Sequence, residues 1–344
     1  WMKELVPGES FTTPEAVIVT GDSMEIVCER MVRAQRPNIS PVDEGMPIAF
    51  NEYCATWGDP TFESVSKACE KIAGKGFKYF TIDSGWYAEK ESWWTRIGDW
   101  DINETRFPGG LKPTCNLVRS KGMIPGVWFE LESLGSACKY YNNLEYLLCK
   151  DGYPIQVGDR RFWDMENPFV IDYLSKKVIG MLKESGFGYV KIDYNDDLGI
   201  GVDDPEGLGE GLRKKIIGTQ KFFEKIREEI PDIVIENCAS GGHRLEPSMM
   251  ELCSQASFSD AHETTSIPII AANLHRCILP SQSQIWAVMR ATDDDNRIYY
   301  SIVNTFLGRM CISGDVYDLS DHQWDLIENG MAFYNKVSHI IDKG

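Results

Sequence analysis

The chain has 344 residues, of which 43% are hydrophobic and 25% are charged, a composition typical of a folded globular protein. Its net charge of −17 repels phosphate groups and anionic lipid, so neither nucleic acid nor a membrane surface is an expected partner. Five histidines without an HExxH motif, and ten cysteines without zinc-type spacing, predict no metal site, and no other cofactor is predicted.

The ten cysteines are scattered in mostly apolar contexts, which is typical of reduced, buried thiols. Reduced cysteines of this kind favour a cytoplasmic location. No apolar run or amino-terminal motif predicts a membrane span or a secretion signal. A secretion signal removed before Trp1 and a homo-oligomeric state are both compatible with the sequence.

Residues 1–45 differ from the rest of the chain. They hold four prolines and short alternating segments such as Glu15–Thr20, a pattern that predicts strands. We therefore expect residues 1–45 to be a strand-rich lead-in, the remnant of an amino-terminal β domain. Residues 46–344 are expected to form the catalytic unit.

From residue 46 onward, apolar β-like runs alternate with amphipathic helical stretches. Asn167 followed by Pro168 predicts a helix start, and Pro231 predicts the end of a later helix. Eight strand–helix units predict an α/β fold, a (β/α)8 TIM barrel, because the alternative open sheet lacks a GxGxxG motif after its first strand. The predicted strands are Pro47–Tyr53, Tyr79–Asp83, Met123–Glu130, Tyr189–Asp193, Ile233–Cys238, Ala256–Asp260, roughly Leu274–Leu279, and Met310–Val316.

Polar side chains stand at the carboxyl ends of the predicted strands, where a barrel of this kind places its functional groups. Six consecutive strand ends carry them, which predicts a site instead of isolated helix caps. In chain order they are Asn51 and Glu52, Asp83, then Trp128, Glu130 and Glu132, then Lys191, Asp193 and Asn195, then Glu236, Asn237 and Cys238, and finally Ser259 and Asp260.

The fourth of these strand ends is the most informative. Lys191 and Asp193 are two residues apart, so in a strand they face the same side. Burying both charges among apolar neighbours is costly unless they meet each other or a ligand. A structural ion pair and a catalytic pair both fit this pattern, and in either case Lys191 should keep Asp193 ionised.

Carboxylates combined with aromatic side chains suit glycoside hydrolysis. That reaction needs two carboxyl groups flanking the anomeric carbon, one as nucleophile or base and one as acid. Aromatic faces bind the apolar side of a sugar ring, and Trp86, Trp100 and Trp128 are available for this. The expected partner is therefore an oligosaccharide or glycoconjugate substrate.

Short motifs at and near the strand ends follow one another in a specific order. They are TIDSGW at Thr81–Trp86, GDW at Gly98–Trp100, FPGGL at Phe107–Leu111, GVWFELE at Gly126–Glu132, Asp164 with Asn167–Pro168, KIDYN at Lys191–Asn195, CASGGHR at Cys238–Arg244, and FSD at Phe258–Asp260. In order and spacing they resemble the catalytic barrel of the retaining α-galactosidases, glycoside hydrolase family 36 (melibiase). The resemblance covers roughly residues 45–340.

The resemblance implies a retaining, exo-acting α-galactosidase that works by double displacement. It implies Asp193 as the nucleophile and Asp260 as the general acid/base. Arg160 and Arg161 stand about two residues out of register with an arginine that reaches the sugar in this family. The substrate-binding candidates are Asp83, Ser84, Tyr53, Trp128, Lys191, Asn195, Cys238, Gly241, Arg160 and Arg161.

The sequence departs from the family pattern at the rim of the sugar pocket. Ser84 replaces the second Asp of D-D-G-W, Tyr53 stands where the family has Trp, and Phe258 replaces a Trp near the acid/base. A neutral Ser loses a charge-assisted hydrogen bond worth roughly 1.5–3 kcal/mol. The leading substrate is therefore an α-galactoside, and α-N-acetylgalactosaminides and α-galactosaminides are the alternatives.

Two other classes of function are compatible with parts of the sequence. Lys191 could form a Schiff base in an aldolase or lyase, but this needs a lowered pKa, which the neighbouring Asp193 opposes. A non-catalytic sugar-binding relative is the other class, and the presence of both Asp193 and Asp260 argues against it.

Overall fold

Eight parallel strands close into a barrel in the computed structural model of the protein, which describes residues 2–89, 92–258, 260 and 265–343. Each barrel strand pairs with the next one along the chain, and the last pairs with the first. Ala49, for example, lies opposite Tyr79 on one side and Cys311 on the other. The predicted (β/α)8 barrel is confirmed.

The barrel consists of β1–β3 and β9–β13, in that order around the circumference. The strands, in chain order, are β1 (Ala49–Asn51), β2 (Tyr79–Ile82), β3 (Ile124–Phe129), β4 (Ser133–Leu134), β5 (Cys149–Lys150), β6 (Tyr153–Pro154), β7 (Gln156–Val157), β8 (Arg160–Phe162), β9 (Tyr189–Ile192), β10 (Val234–Asn237), β11 (Gln255–Ser257), β12 (Ser283–Met289) and β13 (Arg309–Gly314).

Helices between the barrel strands pack on its outside, where the largest apolar cluster lies between helices and sheet. None of the described helices is long and apolar enough to cross a membrane. The helices are α1 (Met24–Arg33), α2 (Tyr53–Thr56), α3 (Phe62–Ile72), α4 (Lys112–Ser120), α5 (Pro168–Leu174), α6 (Gly180–Ser185), α7 (Leu208–Glu229), α8 (Ala239–Gly242), α9 (Pro247–Met250), α10 (Ser266–Leu274), α11 (Asp295–Asn304) and α12 (Asp321–Ile341).

Two of the predicted helix boundaries are confirmed. The Asn167 side chain accepts a hydrogen bond from the Phe169 N–H at 2.9 Å, and Pro168 is the first residue of α5. Its ring fixes φ at a helical value and its missing N–H costs nothing at this position. The later helix, α7, ends at Glu229, just before Pro231.

The seventh predicted strand is wrong. Leu274–Leu279 begins at the last residue of α10, and the strand is Ser283–Met289. Leu274 and Ile278 are apolar because they pack with Ile285 in a cluster outside the barrel. The true strand has its own apolar run at residues 285–289, preceded by the buried polar residues Ser283 and Gln284.

The strands predicted in the lead-in are also wrong. In residues 2–45 the structure contains helix α1 and no strand. Ser23 caps α1 by accepting a hydrogen bond from the Ile26 N–H. The helix itself is amphipathic. The division of the chain at residue 45 stays a prediction.

Two small antiparallel sheets lie between β3 and α5. Strands β4, β8 and β7 form one, and β5 and β6 form the other. Ser133 pairs with Phe162, so the chain returns to the end of β3 after a thirty-residue excursion. This return brings Arg160 close to the carboxyl ends of the barrel strands.

A buried ion pair lies at the opposite, amino-terminal end of the barrel. Arg309 is the first residue of β13, and its guanidinium contacts the carboxylate of Asp43. The Tyr79 hydroxyl and the Gln255 amide donate hydrogen bonds to the same Asp43 oxygen at 2.8 and 2.9 Å. These polar side chains contact one another on the floor of the barrel.

Candidate active site

A cavity of about 130 Å³ lies at the carboxyl ends of the barrel strands. Ionisable side chains from β9 and from the segments after β2 and β11 converge on it, as closure of the barrel requires. It is lined by Tyr53, Asp83, Ser84, Trp93, Trp128, Lys191, Asp193, Asn195 and Asp260. Ser259, which the sequence analysis grouped with Asp260, lies outside the described residues.

Asp193 directly follows β9 and is buried, with hydrogen bonds to both carboxylate oxygens. The N–H groups of Tyr194 and Ser240 donate to Oδ1 at 2.9 and 3.0 Å, and the Trp128 indole N–H donates to Oδ2 at 3.0 Å. Burial alone would raise the pKa of this carboxyl. The positive charge of Lys191 and these donors outweigh it and hold the pKa of Asp193 below its usual range.

Lys191 forms its ion pair with Asp83, which follows β2, two strands away from β9 around the barrel, at 3.0 Å between Nζ and Oδ2. This partner was not predicted, since the sequence offered Asp193, two residues away. Both members of the pair are 3% exposed, and Asn51 donates a further hydrogen bond to Asp83 Oδ2 at 2.7 Å. Burial lowers the pKa of Lys191, but Asp83 and other nearby acids raise it well above its usual value. Lys191 therefore stays a cation, which argues against a Schiff-base function.

Asp260 is exposed and lies on the wall of the same cavity. Gly241 packs directly against it, because a Cβ added at Gly241 would lie 3.1 Å from the Asp260 backbone nitrogen. The preceding residue, Ser240, is the one that donates its N–H to Asp193. One short segment of α8 therefore contacts both aspartates.

This segment has an unusual backbone. Ala239 and Ser240 have φ values of 52° and 51°, in the left-handed region that L-residues rarely adopt. Such conformations persist only where surrounding contacts hold them, and they concentrate at functional sites. Here the conformation turns the Ser240 N–H toward Asp193.

Three of the predicted substrate-binding residues do not line the cavity: Cys238, Arg160 and Arg161. Cys238 is fully buried at the start of α8, and burial raises the pKa of its thiol well above the usual value. Arg160 pairs with Glu130 at 2.9 Å and with Asp196 at 2.7 Å. Arg161 packs over the Tyr141 ring and donates to the Tyr141 carbonyl at 2.7 Å.

The aromatic side chains divide into two layers. Trp128 lines the cavity, whereas Trp86 and Trp100 do not line it and are buried. Trp86 instead donates its indole N–H to the Trp128 carbonyl at 3.0 Å and stacks on Trp100. They support the cavity wall from behind, contrary to the expectation for these two residues.

Trp93 lines the cavity and was missed by the sequence analysis. Its ring contacts Trp128 edge-on, at 5.7 Å between ring centroids. It lies in a loop between β2 and α4, outside every motif quoted above, and the adjacent pair Trp93-Trp94 was the only signal. Gly58 borders it, and a Cβ at Gly58 would lie 2.7 Å from the Trp93 indole nitrogen.

Glu52 is a buried acid just behind the cavity. It accepts hydrogen bonds from the Asp83 N–H at 3.0 Å and from the Thr56 hydroxyl at 2.6 Å. Burial is the main cause that raises the pKa of Glu52 to about 8, and the nearby charge of Asp83 adds to it. Glu52 is therefore largely protonated at neutral pH and orients Asp83 without adding charge.

A parallel barrel with two aspartates on one cavity at the carboxyl ends of its strands is the arrangement typical of barrel glycoside hydrolases. The chain belongs to the Melibiase family, whose family model matches residues 10–344. This agrees with the resemblance found in the motifs.

Individual relatives agree with this assignment. The chain is 25% identical to the alpha-galactosidase AgaA of Geobacillus stearothermophilus over 99% of its own length and 48% of that protein's. It is 24% identical to the alpha-galactosidase Mel36A of Lactobacillus acidophilus, again over 99% of this chain and 48% of the relative. The chain therefore spans about half the length of the curated relatives that it matches.

Solved structures show the same fold. The crystal structure of the family 36 alpha-galactosidase AgaA of Geobacillus stearothermophilus superposes with a TM-score of 0.83 at 22% identity, covering 94% of this chain and 47% of that one. The galactosidase domain of the alpha-galactosidase–sucrose kinase AgaSK gives 0.82 at 20% identity, covering 93% and 45%.

Proposed function

We propose that this chain is the catalytic barrel of a retaining, exo-acting α-galactosidase. The observation that carries the proposal is that Asp193 and Asp260, on different strand ends, line one cavity. Membership of the Melibiase family and the α-galactosidase names of the relatives support the choice of reaction.

The chemistry assigns a different task to each aspartate. Asp193 attacks the anomeric carbon and forms a glycosyl ester, while Asp260 gives its proton to the departing glycosidic oxygen. Asp260 then takes a proton from water, which attacks the same carbon and releases Asp193. The two inversions give net retention of the α configuration.

The surroundings of each residue support these tasks. A nucleophile must be ionised and fixed, and the three N–H donors and Lys191 provide this for Asp193. An acid/base must reach both the leaving group and water, and Asp260 is exposed at the cavity. Proposed sugar contacts on the same wall are Tyr53, Asp83, Ser84, Trp128, Lys191 and Asn195.

The cavity size supports exo action. At about 130 Å³ it is well below the roughly 300–1,000 Å³ of clefts that take larger ligands, so it suits one terminal sugar ring. Variants of the relative AgaA have been solved with raffinose and with stachyose, and we propose that oligosaccharides of this kind are substrates here.

Ser84 is the reason to test other galacto-configured sugars. Its hydroxyl oxygen is buried on the cavity wall and has no hydrogen-bond partner among the residues that the structure describes. A neutral, unpartnered hydroxyl at this wall differs from the carboxylate of the family pattern. α-N-acetylgalactosaminides and α-galactosaminides therefore belong in the substrate panel.

The test compares wild type with Asp193→Ala, Asp260→Ala and the control Asp197→Ala, an exposed acid four residues beyond the nucleophile. Aryl α-glycosides of galactose, N-acetylgalactosamine, galactosamine, xylose and glucose are assayed. Asp193→Ala should lower kcat by on the order of 10⁴-fold or more. Asp197→Ala should behave as wild type.

Added azide separates the two roles. In Asp193→Ala, azide attacks from the face of the missing nucleophile and should give the β-galactosyl azide, whereas Asp260→Ala should give the α-azide from the glycosyl ester. NMR of the early wild-type product should show α-galactose. Full activity of Asp193→Ala, an early β product, or turnover of only the gluco-configured substrate would overturn the proposal.

A further inference from the structure

A second buried carboxylate, Glu130, lies behind the nucleophile without lining the cavity. It directly follows β3, is 0% exposed, and pairs with Arg160 at 2.9 Å. A fully buried carboxylate is costly unless a cation and hydrogen bonds offset its desolvation. Arg160, which reaches Glu130 from β8 of the small antiparallel sheet, provides that cation.

Glu130 is joined to Asn195 by a short hydrogen bond. The Asn195 amide nitrogen donates to Glu130 Oε2 at 2.6 Å. An ionised carboxylate can only accept, so Glu130 requires the NH₂ end of Asn195 to face it. The amide oxygen of Asn195 must then face the other way, where it accepts from the Ser240 hydroxyl at 2.9 Å.

The far end of this arrangement reaches Asp193. The Ser240 backbone N–H donates to Asp193 Oδ1 at 3.0 Å, and the Asn195 side chain is among the groups that lower the pKa of Asp193. Ser240 also has the left-handed backbone noted above, so it depends on its contacts to keep that conformation.

We propose that Glu130 and Arg160 are positioning residues: the Arg160–Glu130 pair fixes the orientation of the Asn195 amide and, through it, the Ser240 N–H that holds the nucleophile. This inference rests on the proposed glycosidase function. It assigns Arg160 a role through Glu130, behind the nucleophile, instead of direct sugar contact.

The Arg160–Glu130 pair also affects the pKa of Asp193. The titratable groups near Asp193 on the surrounding elements include Glu130, Lys191, Tyr87 and Cys238, and Asp260 lies on the same cavity. Burial raises the pKa of Glu130, and Arg160 opposes this by favouring the ionised form. Without the pair, Asn195 is free to turn, and Asp193 loses donors that stabilise its charge.

The experiment uses Glu130→Gln, Arg160→Gln and the matched control Arg161→Gln. A glutamine at 130 can donate as well as accept, so it no longer dictates the orientation of Asn195. Arg161 is the adjacent arginine on the same strand, but it contacts Tyr141 and Asn142 instead of Glu130.

Glu130→Gln and Arg160→Gln should each lower kcat roughly 10–100-fold, the effect typical of residues that support functional groups from behind. KM should stay close to the wild-type value. In Arg160→Gln the acidic limb of the pH–rate profile should move to higher pH, because loss of a nearby cation and loss of donors both make Asp193 easier to protonate. Arg160→Lys, which restores the cation, should recover part of the loss.

A wild-type kcat in Glu130→Gln would overturn the inference, as would an unmoved acidic limb in Arg160→Gln or equal losses in Arg160→Gln and Arg161→Gln. If Glu130→Gln fails to fold, Arg160→Gln decides, since Arg160 is half-buried in the small antiparallel sheet. Failure of the proposed function is distinguishable, because it shows as absence of α-galactoside turnover in the wild type.

Discussion

The two ends of the barrel each bury an aspartate near a cation, and the two carboxyl groups behave differently. At the carboxyl-terminal end, Asp193 has hydrogen-bond donors on both oxygens, and its pKa is lowered. At the amino-terminal end, Asp43 accepts all its recorded hydrogen bonds at Oδ1. Among the residues that the structure describes, Asp43 Oδ2 has no partner.

The pKa of Asp43 is raised in consequence. Burial raises it, and the charge of Arg309 and the hydrogen bonds from Tyr79 and Gln255 only partly offset this. A neighbouring cation therefore does not by itself set the direction in which the pKa of a buried acid moves. Asp193 differs from Asp43 in having hydrogen-bond donors on both carboxylate oxygens.

The same contrast applies to the two cations. Lys191 pairs with Asp83 at the cavity, whereas Arg309 pairs with Asp43 on the barrel floor. In barrels of this type the carboxyl-terminal end carries function and the amino-terminal end carries stability. Removing each cation in turn should separate these two contributions.

The largest effect is expected from Lys191→Met. It removes the charge that favours ionised Asp193 and leaves Asp83 without its ion-pair partner. Removing one electrostatic contact beside a reacting group costs roughly 10²–10³-fold, and we expect a loss of kcat/KM of this size. Steady-state kinetics on an aryl α-galactoside measures it. A variant that keeps more than a tenth of wild-type kcat/KM would contradict this role.

The next effect is on stability. Arg309→Met should lower the free energy of unfolding by about 3–5 kcal/mol, because Asp43 is left buried without its cation. Urea unfolding measures the loss, and kcat per folded molecule should match wild type. Arg309→Lys, which keeps the charge, is the matched control and should lose less. A fall in kcat without a fall in stability would erase the distinction between the two ends.

The smallest effect concerns Glu52, the protonated acid at the cavity end. Its pKa is about 8 in the folded protein and near 4.5 in the unfolded chain. The stability that comes from burying the neutral acid is fully present below pH 4.5. It is lost as pH rises to about 8, by about 1.4 kcal/mol per pH unit.

Glu52→Gln mimics the protonated acid, with its oxygen facing the Asp83 N–H and its NH₂ facing the Thr56 hydroxyl. Relative to wild type, this variant should gain stability between pH 5 and pH 8. Urea unfolding at several pH values measures the gain, with the exposed Glu224→Gln as control. A difference that stays constant with pH would show that Glu52 is ionised when buried.

The sequence contained enough to predict the barrel, because alternating apolar runs and amphipathic helices are local patterns. The prediction failed at β12, because the apolar run Leu274–Leu279 precedes it and only the folded chain shows that Leu274 and Ile278 pack outside the barrel. It failed in residues 2–45, where short alternating segments were too weak a signal for strands.

For the site, the residue types at the strand ends were readable from the sequence by itself, since closing a parallel barrel brings those ends to one rim. The side chains that these residues contact could not be predicted from the sequence. Lys191 meets Asp83 from 108 positions away, and Arg160 turns to Glu130 because the small sheet returns β8 to the end of β3. Strand register and the path of that excursion decide these contacts, and both are properties of the folded chain that no local pattern encodes.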